Sequence, residues 1–208
     1  MSLLTNFQSV QNKINKADLW AEKTLEHQPA YTELQYLTMN GNQYINPSIT
    51  ASSSTTVEIK YLLTGANKGY GRIIGSGSDM NYELCAAGNT TNLRWSLNGN
   101  GSNVSITSGT AHIYKCYGTG NLDIDGVTKV SRSINQNSTT LWLFDCYAHT
   151  ERAKGNFYYC KIWSNSTLVR DFIPVKDPNE VVCLYDQVND VYYYNRGSGS
   201  FTPGPEVN

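Results

Sequence analysis

Apolar residues recur along this chain with two different periods, and the change falls at Pro29. Before it, Leu3, Phe7, Val10, Ile14, Ala17, Ala21 and Thr24 are spaced alternately by four and three. That is the a/d register of an amphipathic helix. Ser2 stands where an N-cap belongs and Pro29 bars continuation. A helix of this length is marginal alone in water, so its stripe needs a partner. The partner is the rest of the same chain, a larger shell, or other copies of the chain, most naturally as a trimer.

Beyond Pro29 the period becomes two, the period of strands. Residues 55–64 place Val57, Ile59 and Tyr61 on one face. Residues 141–147 are apolar on both faces, as in a strand inside a packed sheet, and the polar residues 148–156, ending in Gly155-Asn156, read as a loop. Residues 157–164 alternate, with Tyr158, Cys160 and Ile162 on one face and Phe157, Tyr159, Lys161 and Trp163 on the other. Asn165-Ser166 supplies turn chemistry before a return strand over 168–175. Asn98-Gly99-Asn100-Gly101 and Asp125-Gly126 mark tight hairpins within a meander of short strands. The pattern predicts a mainly β protein, a two-sheet antiparallel jelly-roll sandwich over residues 29–208, preceded by a short N-terminal α-helix over 1–28 that serves oligomerisation or anchoring.

Composition narrows the partners. The 208 residues carry a net charge of -1 and only 16% charged residues. No basic field exists to hold nucleic acid or an anionic membrane surface, and no apolar run is long enough to span a bilayer. Cys85, Cys116, Cys146, Cys160 and Cys183 are odd in number and widely spaced. They are expected as free thiols in the core rather than as disulfides or zinc ligands. Residues 1–10 lack the basic and apolar regions of a secretory leader. Free thiols suggest folding in a reducing cytoplasm, whereas abundant Asn, Ser, Thr, Gly and Tyr suit an extracellular surface. A virion protein, assembled in a host cytoplasm and released by lysis, reconciles the two.

The segment Lys161-Ile162-Trp163, Asn165, then Leu168-Val169-Arg170-Asp171-Phe172-Ile173-Pro174-Val175 resembles the closing strands of concanavalin A-like (laminin-G-like) jelly-roll domains of bacteriophage and gut-bacterial proteins. The resemblance continues through Val182-Cys183-Leu184-Tyr185-Asp186 and Tyr192-Tyr193-Tyr194-Asn195, and takes in Glu33-Leu34-Gln35-Tyr36-Leu37 and Leu122-Asp123-Ile124-Asp125-Gly126-Val127. It covers roughly residues 31–207 and implies a sandwich that displays loops or a face to a ligand. Such modules often bind calcium through loop carboxylates and carbonyls. Asp79, Asp145, Asp186, Asn189 and Asp190 are the candidates, but they form no ligand run, so no cofactor is expected.

Some relatives of that fold are glucanases, which need two carboxyls flanking the scissile bond. The nearest pattern is Asp123-Ile124-Asp125, without a third acid, and Asp125 is explained as the turn residue before Gly126. His27, His112 and His149 belong to no readable triad, and Cys146 with His149 lacks a positioned third group. No catalytic residues are expected. Carbohydrate binding requires exposed aromatic rings beside amides, hydroxyls or carboxylates. Tyr70, Trp95 and Tyr193 are the candidate glycan residues, drawn from a wider aromatic set that includes Trp142, Tyr158, Tyr159 and Trp163. The leading expectation is a non-catalytic virion fibre or capsid-decoration subunit that binds host or mucosal glycans. A bacterial carbohydrate-binding module and a glucanase-like hydrolase are the alternatives.

The helix stripe makes a measurable claim. In light scattering the full chain has the mass of a trimer and a chain starting at Tyr31 that of a monomer. Two monomers overturn self-assembly through Leu3, Phe7, Val10, Ile14, Ala17 and Ala21.

Overall fold

The two-residue alternation sets the strands. The computed structural model describes residues 31–66, 69–77, 80–146 and 151–208. Among them it holds, in chain order, β1 (Thr32–Glu33), β2 (Leu37–Asn40), β3 (Thr50–Ala51), β4 (Thr55–Ala66), β5 (Tyr70–Ser76), β6 (Glu83–Ala87), β7 (Asn92–Leu97), β8 (Asn100–Ser105), β9 (His112–Tyr117), β10 (Leu122–Ile124), β11 (Val127–Val130), β12 (Thr139–Leu143), β13 (Ala153–Ser164), β14 (Thr167–Lys176), β15 (Val182–Asp186), β16 (Val191–Tyr193) and β17 (Thr202–Pro203). Residues Tyr31–Asn208 form one unit. The expected helix over 1–28, with its stripe Leu3, Phe7, Val10, Ile14, Ala17 and Ala21, lies outside the described residues.

Two antiparallel sheets result, and they face each other as a sandwich. The larger runs β11-β10-β9-β4-β13-β14-β15-β16, with β1 added on β14, β2 on β13 and β17 on β2. The smaller runs β3-β12-β5-β6-β7-β8. Both central turns read from the sequence have two left-handed residues, Asn98 (φ 46°) with Gly99 (φ 80°) and Asp125 (φ 51°) with Gly126 (φ 77°). That handedness matches the twist of the strands they join. Between the sheets lie Val57, Ile59 and Tyr61 of β4, Cys160 and Ile162 of β13, Leu93, Trp95 and Leu97 of β7, and Leu141 and Leu143 of β12. All five cysteines are free and buried.

The structure corrects the sequence reading around β13. Residues 153–156 are strand rather than loop: β13 begins at Ala153 and pairs with β4 on one side and with β2, then β14, on the other. Gly155 is there for close approach, not for a turn. Its φ is 155° and a Cβ would collide with the Leu62 carbonyl of β4. The register shifts between Phe157 and Tyr159, so Tyr158 is an extra residue in β13. Phe157 therefore faces the core with Cys160 and Ile162, while Tyr159, Lys161 and Trp163 face outward. β12 is shorter than expected because Phe144 adopts φ 67° and turns the chain away. Its ring still serves the core, meeting Tyr61 at 6.0 Å and Phe157 edge-on at 5.5 Å.

One side chain ties the halves together. Tyr82, just before β6, is fully buried and donates its hydroxyl to the carbonyls of Thr55 (3.1 Å) and Cys116 (2.9 Å) in the larger sheet. Tyr82→Phe keeps the ring and removes the donor. It lowers stability by about 1 kcal/mol, seen as a lower urea midpoint at unchanged slope. An unmoved midpoint overturns the bridging role.

Candidate functional site

Register decides which side chains share a face, and the outward face of the larger sheet carries an ordered set. Asp123 of β10 pairs with Lys115 of β9, Lys115 with Glu58 of β4, Glu58 with Lys161 of β13, and Lys161 with Asp171 of β14. The five make a row across five strands in which the sign of charge alternates. Lys115 Nζ lies 3.4 Å from Glu58 and Lys161 Nζ 3.2 Å from Asp171. Opposite charges facing each other across strands favour this register, each such pair by a few tenths of a kcal/mol.

Aromatic rings flank the row on both sides. Two residues along one way, Tyr117 (β9), Thr56 (β4) and Trp163 (β13) are register partners. Two residues the other way, Ile113, Lys60 and Tyr159 are. The charges hold the rings in place. Lys115 Nζ sits 5.4 Å from the centre of the Trp163 ring, a cation–π contact. Tyr117 donates its hydroxyl to Asp123 Oδ2 at 2.9 Å, and Thr128 donates to the other oxygen at 2.7 Å. Tyr159 donates to Glu58 Oε1 at 3.2 Å.

On the Trp163 side the face opens into a shallow depression of about 460 Å³, lined by Ser54, Thr56, Lys115, Tyr117, Trp163, Asn165 and Ser166. The β13–β14 turn forms one rim. Asn165 (φ 49°) and Ser166 (φ 68°) are both left-handed, and Asn165 N–H donates to the Ser54 carbonyl at 3.1 Å. A non-glycine residue in that conformation costs on the order of 1 kcal/mol. The turn thus keeps polar side chains beside two half-buried rings where glycine would be less strained. Rings flanked by an amide, hydroxyls and an ammonium stack on an apolar ring face and hydrogen-bond its polar rim.

The residues named from sequence lie elsewhere. Trp95 is fully buried, edge-on to Tyr82 at 5.2 Å, and donates its indole N–H to the Gly120 carbonyl at 3.1 Å. It offers no face to a ligand, because it lies on the inner side of β7 between Leu93 and Leu97. Tyr70 is exposed on β5 of the smaller sheet, with the Arg72 guanidinium 5.6 Å over its ring. Arg72 itself is buried against Glu83 and pairs with Glu151. Tyr193 is half-buried, edge-on to Phe172 at 5.0 Å with Arg170 at 6.0 Å, so its ring belongs to the packing. Tyr194 is the exposed member of that run, with its hydroxyl on Asp177. The structure brings none of the three together. Trp163 was in the wider aromatic set, whereas Tyr117 was not; the signal for both is a lysine two positions earlier on the same face, Lys161 and Lys115.

Asp123, Asp125, Asp145 and Asp186 are each held by internal partners. Asp123 and Asp125 do not act on one point: Asp123 belongs to the outer row, while Asp125 accepts from Ile113 N–H at 2.9 Å and lies 2.6 Å from His112 Nδ1. Burial raises the Asp125 carboxyl, but those two contacts outweigh it and hold it below the usual range. Asp145 is fully buried against Arg152, and Asp186 is fully buried beside Arg170 and accepts from Asp171 and Val188 amides. Asp79 and His149 lie outside the described residues. Among the described residues no group of three or more His, Cys, Asp or Glu is placed to hold a metal ion.

The tyrosines of the outer face give a pH prediction. Burial, then the hydrogen bond to Asp123, pushes the Tyr117 hydroxyl up to about 12, and burial with the Glu58 charge does the same for Tyr159, to about 12. The folded chain holds these protons more tightly than the unfolded chain. Their stabilisation is therefore complete below about pH 10 and lost as pH rises towards about 12. Tyr117→Phe with Tyr159→Phe flattens that fall in urea denaturation measured between those pH values. An unchanged profile overturns the assignment.

No family model matches the chain, and no curated protein matches it. Among solved structures, it is similar to the crystal structure of a Bacteroides ovatus ATCC 8483 protein provisionally named carbohydrate binding. The TM-score is 0.60 at 10% identity, and 86% of this chain is covered. The chain spans 62% of the length of that structure. At such identity the likeness speaks to the fold, and with the two antiparallel sheets it fits a concanavalin A-like jelly-roll sandwich.

Proposed function

We propose that the chain is a non-catalytic carbohydrate-binding protein whose glycan site is the outer face of the larger sheet, centred on Trp163 and Tyr117. The observation that carries this reading is the pair of half-buried rings over a depression rimmed by Asn165, Ser166 and Thr56, each ring pinned by a charged neighbour. Pinned rings lose little conformational entropy on binding. The fold neighbour from Bacteroides ovatus, provisionally named for carbohydrate binding, supports the same class. The non-catalytic part rests on Asp123 and Asp125, whose carboxylates are held by separate partners.

Placement at a virion surface, through residues 1–28 and as a trimer, is the wider form of this proposal. It rests on the heptad stripe before Pro29; the light-scattering comparison decides its trimer, and docking of a single chain into a larger shell is the form that survives two monomers.

Glycan array screening followed by calorimetry tests the site. Trp163→Ala weakens the best glycan by about tenfold or more, as loss of a stacking aromatic does, while circular dichroism stays unchanged. Wild-type protein that retains no glycan, or a Trp163→Ala variant that binds as well, overturns the proposal.

A further inference from the structure

The outer face says more than that a sugar binds; it points to the kind. Trp163 and Tyr159 lie on the same face of β13, four residues apart, which separates their Cα atoms by about 13 Å. A single sugar ring is shorter than that, so one ring cannot cover both platforms. Between them lies Lys161 with Glu58 beside it on β4, groups that donate to and accept from neighbouring hydroxyls. Strand β13 therefore carries ring, polar pair, ring in line.

The charges of the same face select against an acid. Lys115 and Lys161 each face a carboxylate, at 3.4 Å and 3.2 Å. Three acids, Asp123, Glu58 and Asp171, share the face with three lysines, Lys115, Lys161 and Lys60, so it carries no net charge. A carboxylate or sulfate on the ligand gains no net attraction from such a face, and it competes with Glu58 and Asp171 for ammonium groups that already have partners. Lys60, the register partner of Tyr159, is engaged as well, with its Nζ 5.0 Å over the Tyr158 ring.

We infer that the ligand is an uncharged oligosaccharide lying along β13 from Trp163 to Tyr159, across the alternating row of charges. The inference rests on the carbohydrate-binding reading above and specifies its ligand. Sugar hydroxyls insert among the Lys161, Glu58 and Lys115 groups without adding net charge, and each ring takes one sugar face.

Calorimetry on the full chain tests it with neutral series, xylo-, manno-, malto- and cello-oligosaccharides from the single sugar to the hexasaccharide. Oligogalacturonides of matching length serve as the acidic series. In the neutral series that binds, affinity rises by about tenfold or more with length until both rings are covered, then flattens. Tyr159→Ala abolishes that gain and leaves the shortest binders unchanged, whereas Trp163→Ala weakens every length. Tyr159→Phe keeps the ring and keeps the gain, and Tyr159→Leu replaces the alanine variant if that does not fold. Binding that depends on Trp163 but is flat with length, that is insensitive to Tyr159, or that prefers oligogalacturonides overturns this inference while leaving the carbohydrate-binding reading intact. Absence of binding to every neutral and acidic series, and to the glycan array, removes both.

Discussion

The pairing of β4 with β13 is the constraint on which the rest depends. These are the two longest strands, each of 12 residues, and they lie next to each other in the middle of the larger sheet. A slip of one residue would turn every outward side chain inward. The bulge at Tyr158 makes a single such change within β13 and leaves both ends in useful phase: Phe157 reaches the core at one end while Tyr159, Lys161 and Trp163 reach water at the other. Without the bulge, Phe157 and Tyr159 would occupy one face, and either the core would lose a ring or the surface would.

The alternating row marks the same register from outside. Glu58 faces Lys115 on one side and Lys161 on the other. Displacing β13 by two residues would set Glu58 against an aromatic ring and leave Lys161 opposite Lys60 or Thr56. Hydrophobic burial alone does not distinguish a two-residue slip, because it returns each residue to its own face. Charges directly opposite each other do. The features that fix the alignment of the sheet thus also hold Trp163, Tyr117 and Tyr159, so the rings of the proposed ligand face come from the strands themselves.

Much of the architecture is legible in the chain's residue pattern. Asn98-Gly99 and Asp125-Gly126 announce two-residue hairpins because both positions require left-handed backbone, and Val57, Ile59 and Tyr61 announce the inner face of β4. The face of each aromatic was harder to read. Trp95 and Trp163 both sit in strands, and a tryptophan has the size for a core and the N–H for a surface. Their same-face neighbours tell them apart: Leu93 and Leu97 for one, Tyr159 and Lys161 for the other. Reading them demands the right phase, and a bulge erases phase locally. Gly155 misled for a related reason. In sequence a glycine beside asparagine resembles a turn, whereas here it lets two backbones come close.

The turn at Asn165-Ser166 has an evolutionary consequence. It closes the β13–β14 hairpin and at the same time walls the depression beside Trp163, yet it contributes nothing to the charge row or the inner core. Insertions at such a tip are tolerated when the scaffold beneath is rigid. Lengthening or rewriting it would reshape the depression without disturbing the fold, so the proposed recognition is free to diverge faster than the skeleton beneath it.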